Sequence, residues 1–201
     1  MSLNEASLDL ILRFEVGGGA PYYNRFLHAP TWPQGESGVT IGVGYDLGYN
    51  SRDDVTRDWG GQLPEDILQR LVPCCGLKGQ AAAAAVPGVK GIDVPWDAAL
   101  AVFEDRTIPR YWSLACKAFP GLATLSGNCQ GALTSLVFNR GTSMSGDSRA
   151  EMRAIRDLVP KADYAGIAAQ LRAMKRIWRG LPIEAGMARR RDAEADLVLA
   201  G

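Results

Sequence analysis

The carboxylates of this chain are the groups whose spacing can do chemistry. Glu15 closes the segment "NEASLDLILRFE", between Phe14 and Val16 and just before three glycines at 17–19. Burial at such an apolar helix end would keep it protonated, as a general acid requires. Asp46 stands near the end of "TIGVGYDLG", six residues after Thr40. In an extended strand that separation puts both side chains on one face, because the side-chain period is two. Gly42 and Gly44 fall between them on that face and leave it bare, a floor on which a sugar ring or a water would fit. A protonated acid on one side, with a carboxylate and a hydroxyl on the other, suits inverting glycoside hydrolysis, whose two carboxyl groups stand about 6.5–9.5 Å apart. Spacing alone favours a plainer arrangement, in which the glycines let the strand twist or bulge and Asp46 caps a turn.

Other chemistries find less support. His28, in "RFLHAPTW", is the single histidine, so a structural or surface role is expected and a histidine-rich metal site is not. The serine and cysteine contexts of nucleophilic hydrolases are absent. Nothing basic follows the glycines of "GVGYDLG" to meet a phosphate, and their spacing matches neither nucleotide-binding fingerprint. Cys74, Cys75, Cys116 and Cys129 lack zinc-type spacing and read as reduced, packed thiols; a Cys116–Cys129 bridge would require an oxidising compartment. No metal or organic cofactor is expected.

The elements that must position Glu15, Thr40 and Asp46 follow from periodicity. Leu8, Ile11 and Leu12 share a helical stripe, capped by Asn4 or Ser7 and stopped by the glycines. From about 20 to 48 the texture turns to aromatics, prolines and glycines, with "APTWPQGESG" a loop or hairpin turn and "GVTIGVGYDL" a strand. Helical signals then take over. "SRDDVTRDW" opens on a serine cap, "LPEDILQRLV" on a proline, and "KGQAAAAAV" has the highest helix propensity. Pro109 predicts a kink or break inside "VPWDAALAVFEDRTIPRYWSLACKAF". Ala132, Leu133, Leu136 and Val137 predict a buried helix ended by Gly141, and three further amphipathic segments close the chain. This order makes an α+β chain with its small β section inserted early, and a cleft between the β and helical lobes would be the natural ligand site.

Length and composition agree with one soluble domain, either a single body or two lobes sharing a cleft: 201 residues, 47% apolar and 22% charged. No run approaches the roughly 20 apolar residues of a membrane-spanning helix. The acidic start "MSLNEASLDL" lacks the sections of a secretory signal, so synthesis in the cytoplasm is expected. The charge is balanced but uneven. Residues 1–139 carry 10 basic and 14 acidic side chains, residues 140–201 carry 12 basic and 8 acidic. A basic final third suits either an anionic polymer or solvated helix faces.

Taken in order, the helix ending in Glu15, the strand "GVTIGVGYDL", the helix "QGALTSLVFNRG" and the closing "GLPIEAGMARRRDAEADLVL" resemble the phage-type muramidases of the T-even lysozyme superfamily. The common phage form carries its aspartate before the strand, where this chain has only Glu36. Pesticin-like muramidases, a branch that also occurs in phage endolysins, are similar but use the order T-x-G-x-G-x-D, and Asp46 fits it. The resemblance implies a lysozyme-like α+β fold, with a β lobe over about 18–50 and a helical lobe over 1–17 plus 51–201. It implies cleavage of the β-1,4 bond between N-acetylmuramic acid and N-acetylglucosamine, with Glu15 as acid, Asp46 and Thr40 on the water, and Glu36 as reserve for Asp46.

The implied partner is the peptidoglycan glycan strand, met in the periplasm or wall by a monomer made in the bacterial host cytoplasm, with no nucleic acid and no stable membrane insertion. Tyr22, Tyr23, Trp32 and Tyr45 could stack on sugars or pack the lobe, and Asn139 could serve as a polar contact or a helix-terminal residue. Arg189, Arg190 and Arg191 read as a solvated helix face, or else as a contact to anionic wall polymer. A lytic transglycosylase and a non-enzymatic wall-binding module or delivered effector are the competing expectations.

Overall fold

The computed structural model describes residues 3–17 and 19–201, is 69% helical, and has one small two-stranded sheet among the described residues. It is an α+β chain. Helix α1 (Glu5–Val16) starts where the Asn4 side chain accepts from the Ser7 amide at 3.0 Å, and Gly17, at φ 63°, ends it. The chain then divides into two units, one of Glu15–Ile108 and one of Met1–Phe14 with Pro109–Gly201.

The Glu15–Ile108 unit begins with a helix that periodicity did not reveal, α2 (Ala20–Phe26), with a proline at its start. Strands β1 (Thr40–Ile41) and β2 (Tyr45–Asp46) pair antiparallel. The expected single strand over 38–47 is therefore a tight hairpin. Its turn uses Gly42 and Gly44 at φ 57° and 70°, a backbone region that side chains disfavour. Gly42 has a second reason: a Cβ there would lie 2.7 Å from the Trp59 ring. These glycines make a turn and a close contact, not a bare strand face.

Helices α3 (Arg52–Trp59), α4 (Glu65–Leu71), α5 (Gly79–Val89) and α6 (Trp96–Val102) complete the unit. Ser51 and Asp54 form a full capping box on α3. Two residues per strand are too few to make a core alone. Trp59 supplies it by packing edge-on to Tyr45, with ring centroids 5.5 Å apart, and Val39, Ile41 and Leu47 are buried alongside. Helices α3–α6 group with the hairpin in this unit, because the hairpin needs their apolar surface.

After α6 the helix loosens into a π-helical segment, Phe103–Thr107, and resumes as α7 (Ile108–Ala118). The break expected at Pro109 takes this form, since the widened turn tolerates a missing amide donor. In the second unit, α8 (Gly127–Arg140) is buried from Cys129 through Val137 and ends at Gly141, φ 69°. Buried all round, it is the central helix. Around it lie α9 (Ala150–Leu158), α10 (Tyr164–Ala173) and α11 (Glu184–Leu199), packed through Phe119, Ile155, Leu171 and Met174. All four cysteines are free thiols, and burial pushes the Cys129 thiol up to about 12.

The arginine run departs from expectation. Arg189 is exposed, whereas Arg190 and Arg191 are buried with Glu194, one turn on along α11. A single oxygen, Glu194 Oε1, accepts from Ser135 Oγ at 2.6 Å, Arg191 Nη2 at 2.6 Å and Arg190 Nε at 3.3 Å. Arg140 and Arg191 also stand over the Trp178 ring, at 5.0 and 5.8 Å from its centroid. Two of the three arginines are therefore core residues. Glu194→Ala strips the shared carboxylate from two buried guanidiniums, and about 3–5 kcal/mol of stability should be lost, read as a lower urea midpoint.

Candidate active site

Backbone pairing decides how Thr40 meets Asp46. Thr40 spends both its main-chain groups on Thr31, through bonds of 2.7 and 3.0 Å. It faces Asp46 on its other side, in a register that also sets Ile41 against Tyr45. The neighbouring bond runs from the Leu47 amide to the Val39 carbonyl at 2.8 Å. Thr40 and Asp46 thus form the pair without mutual main-chain bonds, in which opposed side chains stand closest and share one face. The hydroxyl and the carboxylate are adjacent across two strands, not spaced along one.

Asp46 is held from beneath by amides. Its Oδ1 accepts from Gly48 at 2.8 Å and from Gly38 at 3.1 Å, and Gly38 also reaches Oδ2 at 3.1 Å. The carboxylate caps the short 3₁₀ turn Leu47–Tyr49, as the plainer arrangement of the spacing had it. Gly38 must lack a side chain, since a Cβ would fall 2.3 Å from Asp46 Oδ1. The Asp46 carbonyl in turn accepts from Asn50 Nδ2 at 2.6 Å. A carboxylate has about four acceptor positions, and these bonds leave capacity on Oδ2. Asp46 is half-buried, as a group that meets both backbone and solvent should be.

Glu15 lies one residue from the end of α1, half-buried, between half-buried Phe14 and buried Val16. A carboxylate in the last turn opposes the helix macrodipole. By number it falls in the same unit as Thr40 and Asp46. Glu36 is exposed in the loop before β1, with its carboxyl oxygens 3.9 Å from where a Cβ on Gly79 would stand. That puts it at the start of α5, where a helix N-terminus favours negative charge.

The aromatic candidates separate by burial. Tyr23 is fully buried, its hydroxyl donating to the Val94 carbonyl at 2.9 Å. Tyr45 is buried too and donates to Asp58 Oδ2 at 2.9 Å; burial first, and then Asp58, pushes its phenol up. Both are core residues; of the two roles the sequence left open, theirs is the packing one. Trp32 is half-buried and ties its own loop through Nε1 to the Ser37 carbonyl at 3.1 Å. Asn139 belongs to the other unit, exposed in the last turn of α8. His28 pairs through Nδ1 with Asp93 at 2.9 Å on the surface. Among the described residues, no three His, Cys, Asp or Glu side chains converge as metal ligands, and no helix is long and apolar enough to cross a membrane.

Residues 11–105 match the model of a family described as a domain of unknown function (DUF8812). The match covers most of the Glu15–Ile108 unit and includes Glu15, Thr40 and Asp46. No curated protein matches the chain.

The amide clamp has a measurable consequence. Asp46→Asn removes the charge and replaces one of the two acceptor oxygens with a donor beside the Gly38 amide, and Gly38→Ala drives a methyl into the carboxylate. Each should cost about 1–3 kcal/mol, seen as a lower midpoint in urea.

Proposed function

We propose that this chain is a peptidoglycan hydrolase that cleaves the β-1,4 bond between N-acetylmuramic acid and N-acetylglucosamine. The observation that carries the reading is the pairing of Thr40 with a clamped Asp46, in the same unit as a glutamate set against the dipole at the end of α1. A mainly helical chain with a small hairpin soon after its first helix agrees with the lysozyme-like class that the motifs resemble.

In this reading Glu15 gives its proton to the glycosidic oxygen as the bond to the anomeric carbon breaks. Water attacks that carbon from the opposite face, oriented by the Thr40 hydroxyl, and loses its proton to Asp46. Both groups reset through solvent, and the product keeps a reducing end with inverted configuration. The amides of Gly38 and Gly48 would hold the carboxylate in place, which is the preorganisation such a base needs. The chain would be made in a bacterial cytoplasm and would act on the wall after release or delivery, as a phage endolysin does.

One observation favours a second reading. Asp46 is engaged as a turn clamp, and a lytic transglycosylase requires the glutamate without a water-activating carboxylate. Product analysis separates the two. Mass spectrometry of muropeptides from purified sacculi should find reducing ends, and 1,6-anhydro ends would select transglycosylation. Glu15→Gln should keep the parent circular dichroism spectrum and lose about 10²–10⁴-fold in turbidity clearing. Full clearing by that variant would sink both enzymatic readings.

A further inference from the structure

Helix α2 has two faces of different character. Tyr23 points inward, fully buried, with its ring 5.2 Å from that of Trp96. Tyr22 and Phe26, four residues apart, stand on the outside, 43% and 57% exposed, with ring centroids 4.9 Å apart at 48°. Arg25 lays its guanidinium 5.0 Å from the Phe26 centroid, and α2 carries no acidic residue. Exposed aromatic surface held in a fixed arrangement is a feature that solubility selects against and binding selects for. Its position is informative as well: a Cβ on Gly17, two residues after Glu15, would touch the Tyr22 ring at 4.0 Å.

We propose that Tyr22 and Phe26 form a stacking platform for a sugar of the peptidoglycan glycan strand, with Arg25 pairing to a carboxylate carried by that strand. The platform rests on the hydrolase reading for its ligand and deepens it, since it keeps Tyr22 of the aromatic candidates and adds Phe26 and Arg25 as contacts. The chemistry is complementary on both counts. A pyranose presents an apolar C–H face that aromatic rings accept, and the muramyl lactyl group and stem peptides supply carboxylates for the only charged side chain on α2. The two rings brace each other, so little side-chain freedom is lost on binding.

The test uses the full chain carrying Glu15→Gln, so that binding is read without turnover. Affinity is measured for purified sacculi and for chitohexaose, an N-acetylglucosamine oligomer without carboxylates. Tyr22→Ala with Phe26→Ala should weaken both about tenfold or more. Arg25→Gln should weaken sacculi about threefold and leave chitohexaose unchanged. The three side chains are exposed, so thermal midpoints should stay near that of the parent. Affinity of the double variant within twofold of the parent overturns the platform, as does a parent that binds neither probe. Muropeptide release by the unmodified chain is scored separately. A chain that binds through α2 yet releases nothing overturns the hydrolase reading and leaves the platform standing.

Discussion

The Asp46 carboxylate holds together the loops that surround it. Two amides, from Gly38 before β1 and Gly48 after β2, converge on one side chain, and the hairpin between them has only two residues per strand. A ladder so short cannot fix its own register. The carboxylate fixes it from one end, and the two bonds between Thr31 and Thr40 fix it from the side. The neighbouring residues obey the same constraint: no side chain fits at Gly38, and only a glycine suits Gly42 beneath Trp59. The packing of Tyr45 on Trp59 and its bond to Asp58 then anchor the hairpin to α3.

The two units solve their burial problems differently. In Glu15–Ile108 a small sheet borrows a core from helices, and the aromatic side chains split between that core and the surface of α2. The other unit is all-helical around α8, and it encloses a charged group of Arg190, Arg191 and Glu194. A buried ionic cluster adds little net stability over an apolar one, but removing a single partner is costly. Burial first, and then the charges of Arg149 and Arg191, hold the Arg140 guanidinium down to about 10.

Several features were legible before any coordinates. The amphipathic α1 with its glycine stop, the Ser51 cap of α3 and the buried α8 ended by Gly141 each follow from local rules, because caps and periodicity act within a few residues. Helix α2 was not legible: its seven residues are too few for a periodic signal, and only Pro21 near its start hinted at a helix. The arginine run misled for a related reason. Whether a long cationic side chain is solvated or buried depends on what packs over it, and Ser135 and Trp178 lie far away in sequence.

By itself, the sequence determined which groups are available: a glutamate at a helix end, and a threonine and an aspartate set about glycines that permit little else. Side-chain identity and glycine placement are local properties, fixed once the chain is written. Only the tertiary structure decided that Thr40 and Asp46 meet across a turn, that Tyr23 and Tyr45 serve the core while Tyr22 and Phe26 face outward, and that Arg190 and Arg191 lie buried. These outcomes depend on which distant surfaces exclude water from which side chains, a competition that no short stretch of sequence contains.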